Sequence, residues 1–134
     1  MATGLIASRP TKVGDVLKHE YAPATGYTRR KVVVTVPAEG LEIGAVLEST
    51  SVAGKYILVA VATTANANAV LIDTLANDDT TVGGDFEMTV LMAGPSQVAD
   101  KSLSFATDVD TDVEKQAVYD ALLANAGIQV LAQV

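Results

Sequence analysis

The sequence predicts a mainly β, barrel-like domain with one short C-terminal helix, preceded by an extended N-terminal arm of different character. Three observations lead there. Short runs of β-branched and aliphatic residues (KVVVTV, KYILVAVA, AVLIDTL, FEMTVLM) recur between clusters of Gly, Pro, Asn and Asp, the spacing of an all-β sandwich or barrel-like core. A single capping signature opens a helical stretch near the C-terminus. Charge is also divided along the chain. Positions 1–31 hold six basic residues and two acidic ones, a net +4; the rest holds three and fourteen, a net −11. The expected division is therefore an arm over 1–31 and a compact β-rich body, β-tulip-like or barrel-like, over 32–134.

In the arm, Gly4, Pro10, Gly14, Pro23 and Gly26 interrupt any long regular element. The stretch 12–21, KVGDVLKHEY, has room for a short strand or one helical turn. The body opens with a strand over 31–36 that stops at Pro37, and Pro37–Gly40 reads as a turn. Ile43 to Leu47 is a short apolar piece, followed by a polar loop at 48–51. Further strands are expected over 55–62, 69–75 and 86–92. The loops between them lie at 63–68, 77–79 and 83–85, and Gly94-Pro95-Ser96 closes the last strand. Thr111 and Glu114 form a capping box, and Asp110 and Asp112 suit the positive end of a helix dipole. Val113, Ala117, Ala121 and Ala124 share one stripe of this helix, with Val118 and Leu122 beside it. Gly127 stands at a helix stop. Ile128, Val130, Ala132 and Val134 then alternate as a half-buried strand does.

The 134 residues suffice for one domain with its own core. Apolar residues make up 49% and aromatics only 4%, so the expected core is built from many small side chains. Cysteine is absent, which excludes disulfides, thiolate metal sites and cysteine catalysis. No window reaches the ~20 apolar residues of a membrane span, and no signal peptide is evident, so a soluble, cytoplasmically made protein is expected. The overall charge of −7 disfavours nucleic acid as a partner.

Candidate chemistry is sparse. Asp108, Asp110 and Asp112 alternate like the start of an EF-hand loop. The pattern then departs, with Val113 where Gly is required and Tyr119 where a bidentate Glu is required. Acidic capping of the helix accounts for these aspartates. Asp78, Asp79, Asp85 and Glu87 flank one hairpin and read as charged loop tips. His19, the one histidine, lies in the arm, away from a rigid frame. No serine sits in a G-x-S-x-G context, and Gly83-Gly84 opens no helix. No catalysis, metal or cofactor is expected.

The arm interleaves basic residues with Leu5, Ile6, Val13, Val16, Leu17, Tyr21 and Tyr27. Binding of nucleic acid, with the tyrosines stacking on bases, is disfavoured by the acidic body. A merely solvating tail would not need the apolar residues. Docking on an acidic protein surface, by filling pockets and adding a strand to a sheet edge, fits both features. Val13, Val16 and Leu17 are the expected apolar anchors. Arg9, Lys12 and Lys18 are the expected charge partners, with Tyr21 closing the segment.

Several stretches resemble the head decoration proteins of tailed bacteriophages, the family of the phage lambda decoration protein. They are GAVL at 44–47, AVLIDTLANDDTT at 69–81, FEMTVLMAG at 86–94 and the helix running through Gly127 into IQVLAQV. The arm segments SRPTKVGDVLKHEY and GYTR are similar to the N-terminal region of longer members. The resemblance implies a β-rich homotrimer on the outside of the capsid. Its N-terminal segments would order on the major capsid protein and add strands to its sheets. It implies head stabilisation without catalysis or cofactor, and no nucleic-acid or membrane partner. The expected location is the virion surface, reached from the host cytoplasm. The chain here is longer than the lambda-type proteins and its arm is more basic, with KHEY and GYTRR, so individual contacts do not carry over. The alternative reading is another phage structural component, such as a tail or neck protein.

Overall fold

A computed structural model of the chain describes residues 13–20, 28–77, 81–106 and 108–132. Five strands close into a barrel in the order β2 (Arg29–Val36), β4 (Lys55–Leu58), β3 (Val46–Ser49), β5 (Ala67–Leu71) and β6 (Gly84–Leu91). The longest seam is the antiparallel pairing of β2 with β6, from Arg29 opposite Leu91 to Val36 opposite Gly84. β2 and β4 run parallel, and the other pairs are antiparallel. A second sheet has three strands in the order β1 (Leu17–Glu20), β7 (Ser96–Ala99) and β8 (Ile128–Leu131). A single helical turn, α1 (Val13–Val16), leads into β1. One long helix, α2 (Asp112–Ala126), leads into β8.

Alternation along β2 places the barrel core. Val34 and Val36 of β2 are buried and meet Leu47, Leu71, Met88, Val90 and Leu91. As the aromatic-poor composition implies, the core is mostly Val, Ala, Leu and Ile, and among the described residues Tyr56 is its one buried aromatic ring. The expectation of a mainly β, barrel-like fold with a C-terminal helix is met, and the barrel is closed.

Element limits differ where side chains compete with the ladder. The strand expected over 55–62 ends at Leu58, and residues 61–66 form 3-10 turns instead. The Thr63 hydroxyl accepts from the Ala60 amide and donates to its carbonyl, turning that backbone away from a ladder. β5 accordingly starts at Ala67, inside the expected loop, and ends at Leu71. Glu48 and Ser49, expected in a loop, extend β3. β7 was not expected at all. Its four residues carry too short a pattern, and pairing on both sides buries Ser96, Val98 and Ala99.

The helix carries its capping box as read. Thr111 Oγ1 accepts from the Glu114 amide at 3.2 Å, and Glu114 Oε1 accepts from the Thr111 amide at 3.1 Å. Gly127 closes it at φ +69°. The buried stripe is not the expected one. Val118, Ala121 and Leu122 are buried, Val113 is 81% exposed and Ala124 is exposed. The buried face is turned by one residue, roughly 100°, because Asn125 anchors it. Its Nδ2 donates to the carbonyls of Ala65 (3.1 Å) and Ala67 (2.9 Å) at the start of β5.

Among the described residues, no boundary at 31 sets the preceding stretch apart from the body. β2 starts at Arg29, and residues 13–20 pack on the body. Val16 is wholly buried in the core, with Val13 and Leu17 packed against it. Gly44, at φ +100°, makes room there: a Cβ would collide with the Ser102 carbonyl and crowd Val16.

Candidate docking site

The expected anchors divide sharply once placed. Arg9, Lys12 and Tyr21 lie outside the described residues. Val16 serves the protein's own core, so a partner has no access to it in this conformation. Val13 and Leu17 are half-buried against the same core. Lys18 is exposed, at the point where the pairing of β1 with β7 shifts register between Leu17 and His19. A bulge frees a side chain from the alternation of the strand. Of the four described candidates, Lys18 alone faces solvent.

Sequence reasoning missed what holds this segment. Glu20, at the end of β1, is buried at 7% exposure. Its carboxylate accepts from the buried Thr28 hydroxyl and from Arg29, through Nε at 3.1–3.2 Å and Nη2 at 2.6 Å. These bonds bridge residues 21–27 and fasten the small sheet to the first residue of the barrel. The Arg29 hydrogen bonds hold the Glu20 carboxyl below its ordinary pKa. Burial opposes this, and the Thr28 bond reinforces it. Glu20 in turn raises Arg29. The sequence offers Glu20 and Arg29 as opposite charges nine positions apart, a signal that means nothing until β1 and β2 are placed.

Two ends of the described chain converge at one pole. α1 packs against β7 and against the 3-10 turn at 100–102. The last residue of β8, Leu131, pairs with Ala99 just before that turn. Beside this pole, a cleft of about 280 Å³ opens between α2 and β8. Tyr119, Leu123 and Val130 line it with apolar surface, and Gln116, Asp120 and Gln129 with polar groups. Burial, together with Asp100 and Asp112, raises the Tyr119 phenol above its ordinary pKa. A larger cleft of about 530 Å³ at the barrel mouth is walled by Leu41, Leu58 and Phe105, with Glu39 and Glu42 beside them.

The acidic clusters noted in the sequence are dispersed into structural work. Asp85 accepts from Thr35 Oγ1 at 2.8 Å and pairs with Lys55 Nζ at 3.0 Å, tying β6, β2 and β4 together. These contacts lower its pKa, the Thr35 bond most. Asp108 accepts from the Val61 amide at 3.2 Å. Glu87 is exposed. Asp78 and Asp79 lie outside the described residues. Among the described residues, no three His, Asp or Glu side chains gather in a metal-binding group. His19 is exposed on β1. No helix among the described residues is long and apolar enough to cross a membrane.

One further buried carboxylate was not anticipated. Glu48 is 6% exposed on β3, and its Oε2 has no hydrogen-bond partner among the described residues. In comparisons with known proteins, no family model and no curated protein matches the chain.

Proposed function

We propose that the protein is a capsid decoration, or cementing, protein. It binds the outside of an expanded viral head as a homotrimer and stabilises the shell through N-terminal segments that join the sheets of the major capsid protein. The observation that carries this reading is the N-terminal segment itself, basic and studded with apolar residues, joined to an acidic body that grips its base through Glu20 and Arg29. A segment of this kind is suited to protein surfaces rather than to phosphate or lipid. The role needs no catalysis and no cofactor. Sequence resemblance to head decoration proteins points the same way. Three segments on one trimer bind in concert, the second and third at high effective concentration.

The test is saturable binding to expanded, undecorated capsids, measured with the whole chain and with a variant lacking residues 1–12. Truncation at that point spares α1, β1 and the buried Val16. Loss of at least about a hundredfold in affinity is expected, since multivalent attachment multiplies each segment's contribution. Undiminished binding by the truncated chain overturns the reading. A ring of six subunits in solution, with no capsid binding, would favour a tail or neck component.

A further inference from the structure

Between β2 and β4 the barrel closes through a parallel ladder of only two residue pairs, Val33 with Lys55 and Val34 with Tyr56. Past that point the two strands part. β2 runs on to Val36 with its other side held by β6, and β4 runs on to Leu58 with its other side held by β3. The Val33 amide donates across this seam to the Gly54 carbonyl at 2.9 Å. Alternate residues of a strand turn their backbone groups to the same side, so the Thr35 carbonyl and the Leu58 amide are next in line. The ladder does not reach them. Pro37, which would follow on β2, has no amide to give. The barrel-mouth cleft of about 530 Å³ lies in this parting, with Thr35 and Pro37 on one lip, Leu58 on the other, and Leu41 and Phe105 forming its apolar wall.

We propose that this parted seam receives an extended segment of a partner protein, in which an apolar side chain is flanked by Lys or Arg. The segment's backbone pairs with β4 at Leu58, and its apolar side chain fills the cleft. Backbone bonds of this kind supply affinity, and the pocket supplies selectivity. The inference goes beyond the N-terminal docking segment, since it assigns a receiving site to the body. Leu41 is buried, whereas Leu58 and Phe105 are half-buried and keep apolar surface open to an occupant. The wall behind them is already ordered. The Ser104 amide donates to the Gly44 carbonyl, the Val46 amide to the Ser104 carbonyl, and the Ala106 amide to the Val59 carbonyl. The Phe105 ring rests against Tyr119, with 6.3 Å between centroids. A preformed wall leaves little ordering cost on the receiving side.

Charge sets the chemistry of the occupant. Glu39 and Glu42 stand exposed at the rim, and the cleft is lined by no Lys, Arg or His. The ion pairs of Glu20 with Arg29 and of Asp85 with Lys55 leave both rim carboxylates out. A segment with basic residues beside its apolar one finds complementary charge at this rim. An acidic segment, or the phosphates of a nucleic acid, meets repulsion there.

The test titrates the full, isotope-labelled chain with the peptide acetyl-Lys-Val-Lys-Leu-Lys-Val-Lys-amide and follows backbone amides by NMR. Saturable shifts are expected at Leu41, Leu58 and Phe105, with slower hydrogen exchange at the Leu58 amide. The peptide with Glu in place of Lys is expected not to bind. Combining Glu39→Lys with Glu42→Lys, two exposed positions whose replacement spares the core, is expected to weaken binding several-fold. N-methylation of alternate peptide amides, in either frame, keeps charge and side chains. It is expected to cost at least about tenfold in one frame, the worth of one or two hydrogen bonds. Binding that survives both frames overturns the strand pairing. Shifts spread over the acidic surface and indifferent to Glu39→Lys with Glu42→Lys overturn the site in favour of general charge attraction. Shifts at the same residues that grow with protein concentration alone overturn it in favour of a second copy. Absence of saturable binding overturns it outright. Capsid binding by the truncated chain decides the decoration reading separately.

Discussion

Burying the Glu20 carboxylate carries a desolvation cost that the hydrogen bonds from Thr28 and the half-exposed Arg29 guanidinium offset. Removing the carboxylate leaves the wholly buried Thr28 hydroxyl without its acceptor. Glu20→Ala is expected to cost about 1–3 kcal/mol, the range for an orphaned buried polar group, measured by urea unfolding. The folded pKa of Glu20 lies below its ordinary 4.5. Its contribution is therefore full above that value and is lost as pH falls through the lower folded one. As pH falls below 4.5, stability should fall more steeply in the natural chain than in Glu20→Gln; parallel curves would show that Glu20 contributes nothing through its charge. Glu48 presents the opposite case. With Oε2 buried and unpaired, replacing the carboxylate by an apolar group of similar length removes an uncompensated burial. Glu48→Met is expected to leave the melting temperature unchanged or raise it. A loss above about 1 kcal/mol would mean that the carboxylate has a partner in the assembled state.

At the scale of elements, the sequence was read best where a local rule sufficed. The Thr111–Glu114 capping box and the Gly127 stop need only neighbouring residues, and both stand as expected. The reading failed where long-range contacts decide. The helix stripe could have been centred on either of two adjacent faces, and Asn125 bonding to Ala65 and Ala67 chose between them. β7 exists because two distant strands clasp it, and its own four residues announce nothing. Glu20 and Val16 looked like arm residues because charge and glycine content are averaged over a window, whereas their burial depends on β7 and Gly44. The corrected helix face has a measurable signature. Val118→Ala is expected to cost about 1–3 kcal/mol, whereas Val113→Ser should stay within about 0.5 kcal/mol. Equal effects would restore the stripe centred on Val113.

For the whole molecule, the stretch 13–20 goes with the body, since it pairs with β7 and buries Val16 in the core. A chain lacking residues 1–12 keeps every described contact. A chain lacking 1–20 loses β1, the wholly buried Val16 and the Glu20 carboxylate together. The first is expected to melt within a few degrees of the full chain. The second is expected to lose its cooperative transition by calorimetry, because core truncation and an orphaned buried hydroxyl fall in one place. Binding lost in the longer deletion would therefore not distinguish a docking segment from an unfolded body, whereas the shorter one does.

The β2–β6 seam has a mechanical consequence. A pull on the N-terminal segment first meets the short, bulged pairing of β1 with β7, then the Glu20–Arg29 junction, and so reaches the start of β2. From there the load runs along β2, whose partner β6 lies antiparallel over the whole length from Arg29 to Val36. Force along a strand axis strains all the hydrogen bonds of such a seam at once, in shear, instead of opening them one after another. Such a path gives at the short pairing of β1 with β7 before it holds at the long seam of β2 with β6.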